Sequence, residues 1–358
     1  MAADTIREFI DQIEAIPADT KAVDVLIHST GGDPLSAWKI MSLLRERFEK
    51  VGVLVPFMAF SAATLFALGA DEIVMHPYAS LGPIDPQIFM KQADGSIRHF
   101  AYEDVAAFLR FLGTEVKITE QAHISTVIEK LFSVVDPVNV GGAKRASELS
   151  SSVGERLLLT HMTGEDKGKA KIIAENLNKS FFAHGDAVSR KRAKELHLKI
   201  AKEDVKLEKL IWDVYLGLES YMQLRDPFIA VQVFLADPAG AAQLQPLGPV
   251  NLPANTPAQY AQNAWTAVLN QAIQNAQQGA VEVPYSVVNA VVESTRVASE
   301  FRSTGKMTVA RQPSGELKVS AVDTDSRWKP VVPQPSATAP ATGPQPTAPA
   351  PGGQAPNP

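Results

Sequence analysis

The chain has 358 residues with a net charge of −5; 45% of them are apolar and 20% charged. That length holds two domains or one elaborated domain, and the composition suits a globular protein able to bury a sizeable core. An acidic balance, with a pI of about 5.9, gives no electrostatic reason to expect nucleic acid as a partner, and the absence of cysteine excludes a disulfide scaffold, a thiol nucleophile and thiolate metal ligands.

Residues 1–19 contain Asp4, Arg7, Glu8, Asp11 and Glu14 and no long apolar run. They predict an amphipathic helix with Ile6, Phe9, Ile10 and Ile13 on one face rather than a secretory leader. Residues 22–27 read as a short buried strand ending at His28-Ser29-Thr30-Gly31-Gly32-Asp33-Pro34. Pro34 marks a helix start, and Leu35, Trp38, Met41, Leu44 and Phe48 follow at helical spacing. Residues 51–55 form a second apolar strand, a short helix begins near Ser61, and residues 71–75 form a third strand. Residues 51–70 carry no charge and are long enough to cross a bilayer. Gly52 and Pro56 interrupt that run, however, and its flanks complete a strand–helix–strand–helix–strand series. The prediction is an α/β fold with parallel strands and right-handed crossovers.

This topology brings Gly31-Gly32 and Ser61 to the carboxyl ends of adjacent strands, where open α/β sheets gather their sites. A serine at a helix start lies beside free N–H groups and the positive end of the helix dipole. Ser61 Oγ is therefore the candidate nucleophile, with the N–H groups of Gly32 and Ala62 as donors to a developing oxyanion. The surrounding Ala59-Phe60-Ser61-Ala62-Ala63 is not a G-x-S-x-G elbow. Read from composition alone, a serine packed in an apolar helix is the plainer account.

Four segments in order carry a resemblance: Val25-Leu26-Ile27-His28-Ser29-Thr30-Gly31-Gly32, Ala59-Phe60-Ser61-Ala62-Ala63-Thr64, Ala70-Asp71-Glu72-Ile73-Val74-Met75 and Leu81-Gly82-Pro83-Ile84-Asp85-Pro86-Gln87. Together they resemble the serine dehydrogenase proteinase family, relatives of signal peptide peptidase A in the Clp/crotonase superfamily. A weaker echo lies at Phe182-Ala183-His184-Gly185-Asp186. The resemblance implies a Clp/crotonase-like repeated β-β-α core, a homo-oligomer, and serine-peptidase chemistry with Ser61 as nucleophile and Gly31, Gly32 and Ala62 at the oxyanion hole. It also implies a lysine as general base. The Ala62-Ala63 pair stands where relatives more often carry glycines, and the β-structure that relatives have before the first helix is missing ahead of this one.

A lysine base must lose its proton near neutral pH, so it should project from an apolar setting near Ser61. Lys144 is the choice, as the opening residue of a helix over residues 144–162 that follows Val140-Gly141-Gly142; Lys117 and Lys130 remain open, while Lys91 sits in a polar turn with Asp94-Gly95. A solvated lysine beside Arg145 is the plainer reading of Lys144. Asp85 reads as a turn carboxylate between prolines and His184 as a loop histidine.

Further helices are expected over residues 104–112, 119–132, 167–177 and 203–222. A glutamine-rich helix spans residues 256–278, and a hairpin turns at Gln312-Pro313-Ser314-Gly315. Arg190, Lys191, Arg192 and Lys194 read as a solvated helix face capped by Ser189. Residues 330–358 hold 10 of the 25 prolines and no charge, which predicts a disordered, partly polyproline tail. The expected organisation is a peptidase domain over 1–202, a helical extension over 203–235, an accessory α+β region over 236–329 and the tail. No cofactor or metal is called for. The expected partners are a peptide or protein substrate and other copies of the chain, not nucleic acid. The expected location is cytoplasmic, with membrane association possible though no anchor is visible. Two other readings compete with the peptidase: an inactive scaffold of the same fold that binds peptides or assembles a complex, and, more remotely, a crotonase-type acyl-CoA enzyme.

Overall fold

The computed structural model describes residues 1–91, 95–179, 187–238, 251–252, 254–255, 257–276, 281–311 and 316–331. Its first half is the expected α/β series. Helix α1 (Thr5–Ala15) leads to β1 (Ala22–Leu26), α2 (Pro34–Arg47), β2 (Lys50–Val55), the two-residue β3 (Met58–Ala59), α3 (Ala62–Leu68) and β4 (Glu72–Met75). β1, β2 and β4 form a parallel sheet in that order, with Leu26 opposite Leu54 and Val53 opposite Ile73. Asp33 starts α2 by accepting the Leu35 N–H at 3.2 Å and the Ser36 N–H at 2.9 Å, and Pro34 occupies the first helical position, where its missing N–H costs nothing.

The charge-free run is explained by its central place. Val51, Val53 and Val55 are buried in the middle strand, and every residue of α3 is buried. A strand covered on both faces reads as continuous apolar sequence. No described helix is long and apolar enough to cross a membrane.

Beyond β4 come β5 (Ser80–Leu81), β6 (Gln87–Lys91), β7 (Ile97–Ala101), α4 (Tyr102–Thr114), α5 (Gln121–Phe132), α6 (Pro137–Leu158), α7 (Lys169–Lys179), β8 (Val188–Ser189), α8 (Arg190–Glu195) and α9 (Val205–Tyr221). β3, β5 and β8 make a second small sheet. α6 lies against α3 through Gly154, where a Cβ would come within 3.3 Å of Leu65 and 3.2 Å of Ile84. With Val153, Leu157, Ile173 and Leu177 from α6 and α7, it closes the main core over α2 and α3.

Three expectations change here. α6 starts at Pro137, capped by Asp136, whose carboxylate accepts the Val138 N–H at 2.8 Å. Gly141 and Gly142 lie inside this helix rather than before it, and Lys144 is in its third turn. Lys91 ends β6, which pairs antiparallel with β7 in a hairpin that the sequence reading missed. The C-terminal region, α10 (Ala230–Ala236), α11 (Ala261–Ala276), β9 (Val281–Glu293), β10 (Ala298–Arg311) and β11 (Leu317–Pro330), holds a long antiparallel sheet in the order β11-β10-β9. β9 is a strand that the sequence analysis did not include; it lies at the sheet edge, where Pro284, lacking an N–H, is tolerated. The sheet is tied to the main body by the Gln12 side chain donating to Val292 O, the Trp328 indole donating to Asp4 and the Tyr221 hydroxyl donating to Glu300. The turn at 312–315, His184 and residues 332–358 fall outside the described residues.

Candidate functional site

β1 and β2 carry the site on their outgoing ends. After β1 the chain crosses to its neighbour: the Ser29 N–H donates to Met58 O at 3.1 Å and the Phe60 N–H to Ser29 O at 3.0 Å, a parallel bridge between Ser29 and Ala59. Two residues further along each strand stand Gly31 and Ser61, in direct contact. A Cβ on Gly31 would lie 2.8 Å from Ser61 Cβ and 2.9 Å from Phe60 O, and Gly31 has φ +117°. Only glycine fits there.

Ser61 is itself in an uncommon backbone conformation, φ 52° and ψ −117°, immediately before α3. Positive φ at a residue with a side chain costs on the order of 1–3 kcal/mol and persists where its surroundings impose it. Here the bridge on one side and buried α3 on the other impose it. The Ser61 hydroxyl does not cap the helix, although a serine in this place normally does. Among the described residues the N–H groups of Gly32 and Ala62 make no hydrogen bond either. Among the described residues, one hydroxyl and two amide donors are thus left unused on the two adjoining loops.

The Gly31 N–H is different, since it donates to the Ser29 hydroxyl at 3.1 Å. The oxyanion assignment by resemblance therefore divides: Gly32 and Ala62 have free donors, whereas Gly31 supplies room for Ser61. Met1 lies over this loop, its N–H donating to Gly31 O and its carbonyl accepting the Asp33 N–H at 2.8 Å. A Cβ on Gly32 would meet the Met1 backbone.

A model of the ClpP-like SDH-type serine proteinases matches residues 1–239. The chain belongs to that family. Two curated relatives come from Methanocaldococcus jannaschii. One, "Uncharacterized protein MJ0137", is 30% identical over 218 residues, 61% of this chain and 64% of its own length. The other, "Uncharacterized protein MJ1495", is 28% identical over 194 residues, 54% and 56% of the two chains. The chain thus spans about six-tenths of the length of these relatives. Two solved mutants of the 1510-N membrane-bound stomatin-specific protease, one with a substrate peptide, are similar at 16% identity with TM-scores of 0.36 and 0.34; each alignment covers 56% of this chain, and 74% and 70% of theirs.

The far end of α3 is held by groups that the sequence reading did not single out. Arg45 of α2 donates through Nε and Nη2 to Gly69 O, and its Nη1 lies 2.7 Å from Asp71 Oδ2. His161 Nε2 meets Leu68 O at 2.9 Å, which makes Nε2 the protonated nitrogen of the neutral ring. Thr160 adds a long contact to Gly69 O at 3.4 Å. These groups satisfy carbonyls that a helix end leaves orphaned, and Arg45 places a cation at the negative end of the helix. Burial holds the His161 imidazole below its ordinary value, outweighing the Leu68 carbonyl, which acts the other way. Burial pushes Asp71 up, but the Val51 N–H and Arg45 outweigh it and keep the carboxyl below the usual range. In the middle of α3, the buried Thr64 hydroxyl lies 2.7 Å from Ala59 O and 3.0 Å from both the N–H and the carbonyl of Gly82. It stitches α3 to β3 and to the loop carrying Gly82 and Asp85; the Gln87 side chain donates to Asp85 at 3.2 Å.

The lysines are less converged. Lys144 projects from α6 with 56% of its side chain exposed, 3.8 Å from Glu148. It lines a polar cleft of about 400 Å³ between α6 and α7, with Ser147, Ser151 and Lys171 among the other walls and Ser61 not among them. Lys117 and Lys130 are exposed on and beside the α4–α5 segment. Among the described residues none of the three makes a hydrogen bond with Ser61.

Proposed function

We propose that the protein is a serine peptidase in which Ser61 attacks the carbonyl carbon of a peptide bond. The observation that carries this reading is the turn at Ser61: a backbone held at positive φ, an unused hydroxyl, and the unpaired N–H groups of Gly32 and Ala62 beside it. As the Oγ–carbon bond forms, the serine proton passes to a base, and the carbonyl oxygen becomes an anion that accepts hydrogen bonds from the two N–H groups. The tetrahedral intermediate then expels the amine, which takes the proton from the base. Water, deprotonated by the same base, releases the acyl group and restores Ser61.

The base in this proposal is a lysine, and Lys144 is the assigned one. α6 packs directly on α3 through Gly154, which puts a lysine-bearing helix against the nucleophile's own helix. To serve, Lys144 must exchange its solvent contact and Glu148 for a covered position, supplied by bound substrate or by a second copy of the chain. Homo-oligomerisation belongs to the proposal for that reason. The second reading is an inactive peptide-binding scaffold, and the exposure of Lys144 is the observation on its side.

A fluorophosphonate probe decides between them. The full chain should be labelled covalently, Ser61→Ala should abolish labelling, and Lys144→Ala should reduce it at neutral pH with partial recovery at high pH. A folded wild type that resists the probe at every protein concentration would sink the peptidase. Labelling that is unchanged in Lys144→Ala would leave Ser61 in place and remove Lys144 as the base.

A further inference from the structure

Six aromatic rings gather at the outgoing ends of the parallel sheet, outside the site at Ser61. His28 follows β1, Phe57 follows β2, and His76 and Tyr78 follow β4; Trp212 and Tyr215 come from α9. Trp212 is the centre. It stacks on His76 with centroids 4.8 Å apart and planes 13° apart, while Tyr78 at 5.3 Å and Phe57 at 6.3 Å both stand edge-on to it at 75°. Tyr215 and His28 form the floor, 4.9 Å from each other. Tyr78 is 65% exposed and Phe57 36%, and Trp212 is half-buried between them.

A packed core of this area would hide its rings. This one presents a shelf of two upright rings flanking an indole. Its polar atoms are also unspent: among the described residues neither the Trp212 indole N–H nor the Tyr78 hydroxyl makes a hydrogen bond. Upright aromatic rings combined with outward donors form the surface that recognises polyproline II, whose prolines fill the gaps between rings and whose solvated carbonyls accept the donors.

The chain contains a segment of that chemistry. Residues 330–358 hold 10 prolines and no charged side chain, so burying part of this segment against neutral rings desolvates no ion. It also departs from the right place. The last pair of β11 is Pro330 opposite Ser299, next to Glu300, whose carboxylate accepts from the Tyr221 hydroxyl. Tyr221 ends α9, nine residues after Trp212, a distance of about 14 Å along the helix. A 27-residue segment at about 3.1 Å per residue spans on the order of 80 Å, several times what is needed.

We propose that the aromatic shelf around Trp212 is the docking site for the chain's own proline-rich segment, residues 332–358, bound as polyproline II. Because the shelf rings sit three residues before Gly31 and four before Ser61, docking loads the same two strand ends that carry the candidate site. The inference does not depend on Ser61 being a nucleophile.

The test uses the full chain with p-benzoylphenylalanine in place of the exposed Tyr78. After irradiation of a mixture of ¹⁴N- and ¹⁵N-labelled protein, peptide mass spectrometry should find cross-links into residues 332–358 within single-isotope chains. Replacing Pro344, Pro346 and Pro349 together by alanine should lower that yield about fivefold or more, with circular dichroism unchanged. Cross-links to any other segment, mixed-isotope cross-links, no cross-link at all, or a yield indifferent to the prolines would each overturn the proposal. Fluorophosphonate labelling of the same samples reports on Ser61 separately, so the two readings stand or fall apart.

Discussion

The two ends of α3 are built on opposite rules. At its start, among the described residues, the chain leaves an uncapped serine at φ 52° and the Ala62 N–H without a partner, with the free Gly32 N–H on the adjoining loop; at its finish the carbonyls of Leu68 and Gly69 are met by Arg45, Thr160 and His161. A helix of seven residues has little stability of its own, since each end lacks internal partners for several groups. Burial of all seven side chains and the anchored carbonyls at one end let the other stay open. The contrast teaches that readiness at Ser61 rests on anchorage more than 10 Å away along the helix, at about 1.5 Å per residue.

Substitutions at either end should therefore fail in different ways. The largest effect belongs to Gly31→Ala, which places a methyl group 2.8 Å from Ser61 Cβ at a φ that alanine avoids. Relief requires moving the Ser61 turn, and displacement of about 1 Å at a reacting group costs on the order of a hundredfold. Fluorophosphonate labelling should fall by about that factor; labelling within about threefold of wild type would show that the glycine is not what holds the turn.

At the anchored end, Arg45→Met removes the ligands of Gly69 O and leaves Asp71, in a pair whose side chains are only 16% and 28% exposed, without its cation. The expected loss is about 2–3 kcal/mol, reduced from the value for a fully buried pair by the remaining solvent access. Thermal unfolding should drop by roughly 4–10 °C while labelling well below the transition stays close to wild type. A variant that keeps its melting temperature would remove the anchorage argument. Thr64→Val lies between the ends and preserves shape while leaving the Gly82 N–H without its acceptor; about 1–2 kcal/mol of stability should be lost, measured by urea titration.

The comparison also shows what a sequence can disclose. The open end was legible because its signals are local: an apolar strand, Gly31-Gly32, Asp33-Pro34, and a serine starting a run of small residues. The anchored end was not, because Arg45, Asp71, Thr160 and His161 come from separate segments and meet only in the folded chain. Lys144 was placed at a helix start because Gly141-Gly142 looked like a break, whereas Asp136-Pro137 is the cap and the two glycines, each with open space where a Cβ would stand, simply ride inside α6. The α/β region containing Ser61 could be read from four motifs; the C-terminal sheet, outside the span of the family model, offered only the hairpin signal between β10 and β11.

The smallest expected effect tests the histidine at the anchored end. Burial holds His28, His76 and His161 below the ordinary imidazole value. Below about pH 6.5 the unfolded chain binds protons at these positions that the folded chain does not, so stability falls as pH drops through that region and is independent of these groups above it. Asp71, held low, adds a second loss only at more acid pH, as its folded carboxyl protonates. His161 is the informative member because its Nδ1 is buried without a partner, so protonation would put an unmatched donor there. His161→Gln keeps a donor for Leu68 O but cannot titrate. Between pH 7 and pH 5 its urea midpoint should shift less than that of wild type, by at most about 1.4 kcal/mol per pH unit for one group. If the two proteins lose stability in parallel over that interval, His161 is not a source of the acid sensitivity, and Arg45 with Asp71 carries the closed end of α3 without it.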